Sequence, residues 1–215
     1  MRKNIIFIVA FLIISNISYG QMIPKVGLKF GLNISNSIWY FNEPLNAELE
    51  WENYSSYTLR GFVEINLTDN FGIEGELGFS RKGVYKEVPI SPIDQPDVTI
   101  GISKTKNITE YLSLAALAKY NIYKGFMSPY ILAGPQINFL VNYNVRKGSE
   151  RAYDEFNTAI FGYSVGSGIE INVKPIDILI EYRFERDLTN SNTTEEFDVH
   201  NYSHSIMAGL RYSIY

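Results

Sequence analysis

Few residues in this chain could do acid–base chemistry. It has two histidines, His200 and His204, and no cysteine. Four positions apart on an extended strand, the two would face the same side. Asp198, Glu195 and Glu196 lie close by, and Ser203 and Ser205 flank His204. That grouping admits a surface metal site or a Ser-His-carboxylate hydrolase. No nucleophile turn or metal-ligand motif accompanies it, so two exposed polar residues on a rim are the preferred account. A second grouping is Glu64, Glu74 and Glu76, whose carboxylates could serve as general acid and base. Arg60, Lys25 and Lys29 stand in neighbouring segments, so a structural ion-pair network is the simpler use. A third is a set of aromatics in the long connections: Trp39, Tyr40, Phe41, Trp51 and Tyr54 in the first, Tyr85 in the second, and Tyr153 and Phe156 in the third. Exposed there, they are candidate recognition anchors, the alternative being that they fold onto the rim or touch lipid headgroups.

Composition narrows the classes. Without cysteine there is no disulfide scaffold, thiolate zinc site or cysteine nucleophile. The 215 residues carry 19 Lys+Arg against 23 Asp+Glu, a formal net charge of −4, which offers no basic footprint for nucleic acid. At 46% hydrophobic and 20% charged, the chain is too apolar to be disordered. Arg2 and Lys3 precede an apolar run from Ile5 to Ile14, and Ser18-Tyr19-Gly20 supplies the small residues that a signal peptidase reads. The run is about half of what a membrane-spanning helix needs. Residues 1–20 are therefore expected to be a secretory signal and 21–215 a single exported domain.

The elements that must position these groups are strands. Period-2 alternation runs through eight segments: Val26–Ile34, Tyr57–Leu67, Phe71–Phe79, Leu112–Tyr120, Ile131–Val141, Ala159–Ile171, Ile176–Phe184 and Ile206–Ile214. No helix is expected after the signal. The connections alternate in length. Thr68-Asp69-Asn70, the piece around Tyr123-Lys124-Gly125, and Val173-Lys174-Pro175 are short. Ser35–Ser56, Arg81–Asn107, Asn142–Thr158 and Glu185–Ser203 are long. An even strand number with short turns at one end and long connections at the other is the pattern of a transmembrane barrel.

One face of every segment is free of charge. The opposite faces carry Lys25, Lys29, Arg60, Lys119, Arg183 and Arg211 against Glu64, Glu74, Glu76, Glu170, Asp177 and Glu181, six of each sign. Many glycines share that charged face, which suits an interior short of space better than a wet surface. In a membrane barrel the uncharged face meets hydrocarbon and the polar face lines the bore. The twelve charges are thus expected to form a lumen ion-pair network that plugs the bore. Pro135, mid-segment, predicts a bulge.

The run Tyr111-Leu112-Ser113-Leu114-Ala115-Ala116-Leu117-Ala118-Lys119-Tyr120, followed by Pro129-Tyr130-Ile131-Leu132-Ala133-Gly134-Pro135, resembles the PorT-like outer-membrane β-barrel family of Bacteroidetes. So do the opening Lys25–Asn33, the segment Gly162–Glu170 and the closing aromatic strand; Ala115 stands where that family often has Pro. The resemblance implies an all-β fold, an eight-stranded antiparallel up-and-down barrel in an outer membrane. It is silent about activity. The expectation is a non-enzymatic envelope protein, without cofactor or catalytic residues, acting structurally or through extracellular-loop binding. Its partners would be outer-membrane lipid and extracellular or envelope proteins. The alternatives are a membrane-embedded enzyme acting on lipid or peptide, and a narrow pore.

Overall fold

The computed structural model describes residues 24–41, 47–49, 52–90, 101–144, 156–191 and 197–214. The expected signal peptide, Trp51, Tyr153, Glu195 and Glu196 lie outside them. Among these residues there is no helix. The strands are β1 (Lys25–Phe41), β2 (Ala47–Leu49), β3 (Glu52–Asn66), β4 (Phe71–Ile90), β5 (Gly101–Asn121), β6 (Met127–Asn144), β7 (Ala159–Ile171), β8 (Ile176–Asp187) and β9 (Phe197–Ser213). Apart from β2, a three-residue strand on the end of β1, each pairs antiparallel with the next long strand, and β9 returns to β1. The result is a closed eight-stranded antiparallel barrel. Closure leaves no free edge along the spanning ladders, which hydrocarbon would not tolerate.

Alternation dictates which side meets what. Lys29, Glu74 and Arg183 are 1%, 0% and 0% exposed, whereas Phe30, Ile73 and Ile180 on the opposite face are 58%, 44% and 51% exposed. Apolar side chains face out and charges face in, the reverse of a water-soluble barrel. Tyr57, Phe71, Tyr120 and Tyr212 also point outward, near strand ends, where aromatic girdles sit. An arginine at Ile180 is expected to cost about 2–4 kcal/mol of folding stability in vesicles. Urea titration measures it; an unchanged midpoint would place Ile180 away from hydrocarbon.

The short turns fall where expected, at 67–70, 122–126 and 172–175. Leu67 and Thr68 both donate backbone N–H bonds to the Phe71 carbonyl, and Phe71 N–H donates to Thr68 Oγ1, closing the first of them. The long connections differ from expectation. Most of Ser35–Ser56 and Arg81–Asn107, and the ends of the other two, belong to strands. The outward apolar signal stops where hydrocarbon stops, but backbone pairing does not need it. At about 3.3 Å per residue and a 40° tilt, the 20 residues of β4 rise about 50 Å, roughly twice the apolar band.

Pro135 makes no bulge. The pairs Ala115–Gln136 and Ala118–Ala133 keep one register, with the two pairs between them absent, and Pro135 stays aligned with Tyr163. Proline removes a single donor, and the strand omits the bond without inserting a residue. The one-residue shift lies between Glu110 and Tyr111, whose partners are Asn142 and Leu140.

Candidate functional site

Inside the barrel, register sets like charges side by side. Glu64 is aligned with Glu74 across β3 and β4, and Lys29 with Arg60 across β1 and β3. Like charges directly opposite on one sheet face repel, so attraction has to run mainly across the bore. Lys29 Nζ reaches over β3 to Glu74 and Glu76 (3.0 Å) on β4 and to Glu181 (2.8 Å) on β8, and lies 4.6 Å from the Phe62 ring centre. Arg183 holds Glu76 with both terminal nitrogens and also bonds Glu181, while Tyr130 donates its hydroxyl to Glu181 (2.8 Å).

Toward the short turns lies a second tier. Lys119 Nζ sits between Glu64 (2.7 Å), Glu74 (3.8 Å) and Glu170, separating the aligned carboxylates, with the Tyr130 ring centre at 4.3 Å. Arg211 bonds Glu64 (2.8 Å), Glu170 (2.7 Å) and Asp177 (2.7 Å). Lys25, half-buried at the mouth, approaches Glu64 at 3.7 Å. All twelve charges named from the sequence are therefore brought into one connected set.

Sequence reasoning missed most of a third tier, because Lys82, Glu185 and Asp187 fell in segments read as connections. Arg60, 3.6 Å from Glu76, ties that tier to the set above. Arg60 pairs with Glu185, and Lys82 Nζ meets Asp187 at 3.2 Å. Asp187 also accepts from the side-chain amides of Asn138 (2.9 Å) and Asn201 (3.0 Å). The signal was there: Lys82, Glu185 and Asp187 keep the inward parity of Ser80 and Arg183. The lining is not wholly polar either, since Ala115, Leu117, Tyr130 and Leu132 form a buried apolar patch on β5 and β6.

The aromatics proposed as loop anchors need correction. Trp39, Tyr40 and Phe41 belong to β1. Trp39 is 8% exposed; it and Phe156, also buried, line a small cavity at the long-connection end with Ser37, Val84, Asn107, Thr109, Val199 and Asn201. The burial of Trp39 follows from inward parity continuing along β1 past the membrane, where an indole in the bore is sheltered from water. Tyr40 faces out and is exposed.

Among the described residues the histidine grouping does not assemble. His204 lies on the outer wall with Nδ1 2.7 Å from the Tyr182 hydroxyl, among the rings of Tyr182, Phe184 and Tyr202 (centroids 6.1, 5.0 and 6.1 Å away). Ser203 and Ser205 are buried on the inner face, and Asp198 accepts from Asn190. Among the described residues no cluster of His, Asp and Glu could hold a metal ion.

A closed antiparallel barrel that is apolar outside and ionic within defines the class of outer-membrane β-barrel proteins. Residues 24–193 match the family described as outer membrane protein beta-barrel domain, and the chain belongs to that family. Among solved structures it is similar to the outer membrane protein OprG of Pseudomonas aeruginosa (11% identity, covering 91% of this chain and 99% of that one, TM-score 0.49). It is also similar to Neisserial surface protein A (17%, 87% and 97%, 0.47) and to the Escherichia coli outer membrane protease OmpT (10%, 89% and 97%, 0.43). A search of curated proteins finds no match.

Proposed function

We propose that the protein is a non-enzymatic, PorT-like outer-membrane barrel whose bore is plugged by its ion pairs, and whose working surface is the rim at the long-connection end. In this reading a signal peptide delivers the chain, both termini lie on the periplasmic side, and the rim faces the cell exterior. One observation carries it: side chains that cross the bore are bonded to one another from Arg211 to Glu185, the Lys82–Asp187 pair stands beyond them, and the bridging groups are almost wholly buried. Breaking such pairs to admit solute would leave uncompensated charge, at several kcal/mol each. Binding at the rim then needs no passage through the wall. Purified protein in planar bilayers is expected to give no unitary conductance steps, and discrete reproducible steps would replace this reading with that of a narrow pore. Photoreactive residues at Tyr40 in intact cells test the rim, a reproducible protein adduct being the expected outcome.

A further inference from the structure

The outward wall of β7, β8 and β9 carries a charge that the bore does not explain. Arg186 is exposed on the outer face of β8, aligned with Tyr163 on β7 and Tyr202 on β9. Among the described residues it has no carboxylate partner. The comparison within the same barrel is Arg81, the outward arginine of β4, which bonds Glu110 at 2.7 Å and lies 5.1 Å from the Tyr57 ring centre. A lone arginine between two tyrosines on a membrane wall is set up for an anion from outside the chain.

Height identifies that anion. From Ile176 to Arg186 there are ten residues of continuous β8, alternating Ile178, Ile180, Tyr182 and Phe184 outward. At about 3.3 Å per residue and a 40° tilt this is about 25 Å, the height of the apolar band of such barrels. Arg186 therefore stands at the hydrocarbon boundary, with Phe184, His204 and Tyr182 directly below it in the girdle. Phosphate is the anion concentrated at that depth. A planar guanidinium can grip two of its oxygens, and tyrosine hydroxyls on either side can donate to the others while their rings stay in the interface.

We propose that Arg186, flanked by Tyr163 and Tyr202, seats the phosphate of an anionic lipid on the outer wall of the barrel. The site binds a lipid rather than a soluble anion because its lower half is an apolar girdle that only an acyl-bearing ligand would cover. The assignment requires the barrel to span a bilayer but does not depend on whether the bore conducts, so it can fail or stand apart from the function proposed above.

The test is native mass spectrometry of the protein released from nanodiscs of phosphatidylcholine mixed with phosphatidylglycerol. The wild-type chain is expected to retain phosphatidylglycerol preferentially. R186Q is expected to lose about fivefold in that occupancy, the effect of one basic side chain at a membrane surface, and R186K to keep most of it. Heat-modifiable migration confirms that each variant is folded, which an exposed position permits. Equal retention by wild type and R186Q would overturn the proposal. So would inorganic phosphate, added to phosphatidylcholine nanodiscs, binding as well as the lipid does.

Discussion

E76A is expected to lower the unfolding free energy in phospholipid vesicles by about 3–5 kcal/mol, the usual effect of removing one member of a buried ionic set. Glu76 accepts from both terminal nitrogens of Arg183 and from Lys29 (3.0 Å), and Arg60 Nη1 lies 3.6 Å away. Truncation leaves three cations sharing Glu74, Glu181 and Glu185. E76Q keeps the volume but not the charge, so most of the loss should persist in it. Replacing Glu76 and Arg183 together with methionine should recover much of it, because both desolvated charges are then gone; the gap between double and summed single effects is the coupling. Urea-dependent loss of the compact gel form measures wild type, E76A, E76Q, E76M, R183M and the double variant. A midpoint for E76A equal to wild type would mean that the ionic tiers do not hold the bore together.

G31V should fail at a different place, the seam where the barrel closes. A Cβ on Gly31 would lie 2.0 Å from the Ile206 carbonyl oxygen and 2.6 Å from Met207 Cα, backbone atoms of the strand that completes the ring. Neither can move aside without parting β1 from β9. The cost should exceed the about 1–3 kcal/mol of ordinary overpacking, with a folded yield far below wild type. Gly75 supplies the contrast. It faces outward, and a Cβ there meets nothing within 4 Å, so G75A should stay within about 0.5 kcal/mol of wild type. Heat-modifiable migration after refolding reads both, and efficient closure of G31V would show that the seam is looser than described.

Architecture was readable because a bilayer enforces it. Every residue of a spanning strand must declare a side, and Leu28, Phe30 and Leu32 against Lys29 and Asn33 do so without ambiguity. The ionic residues were readable for the same reason, as the polar half of that alternation. Their partners were not. Which carboxylate Lys29 meets depends on stagger and on the width of the bore, and two of its three partners sit on β4, beyond the strand beside it. Lys82, Glu185 and Asp187 escaped because the outward residues opposite them are no longer uniformly apolar, so the alternation lost contrast while the ladder ran on. Trp39 misled through its type: a tryptophan past the last greasy position suggests a surface, yet parity turns it inward. Arg186 offered no signal in one dimension, since its meaning comes from tyrosines on two other strands.

The projecting wall has a thermodynamic corollary for whatever meets it. Flexible loops surrender conformational freedom when they are captured, at about 1–2 kcal/mol for each residue fixed. Here Ser35 to Phe41, and Arg81 to Ile90 beside Gly101 to Glu110, are already immobilised by cross-strand bonds above the apolar band. A visitor to that palisade finds its backbone shape set in advance, so tight association is open to a small contact area, and the crest tolerates little remodelling to suit a second, differently shaped visitor.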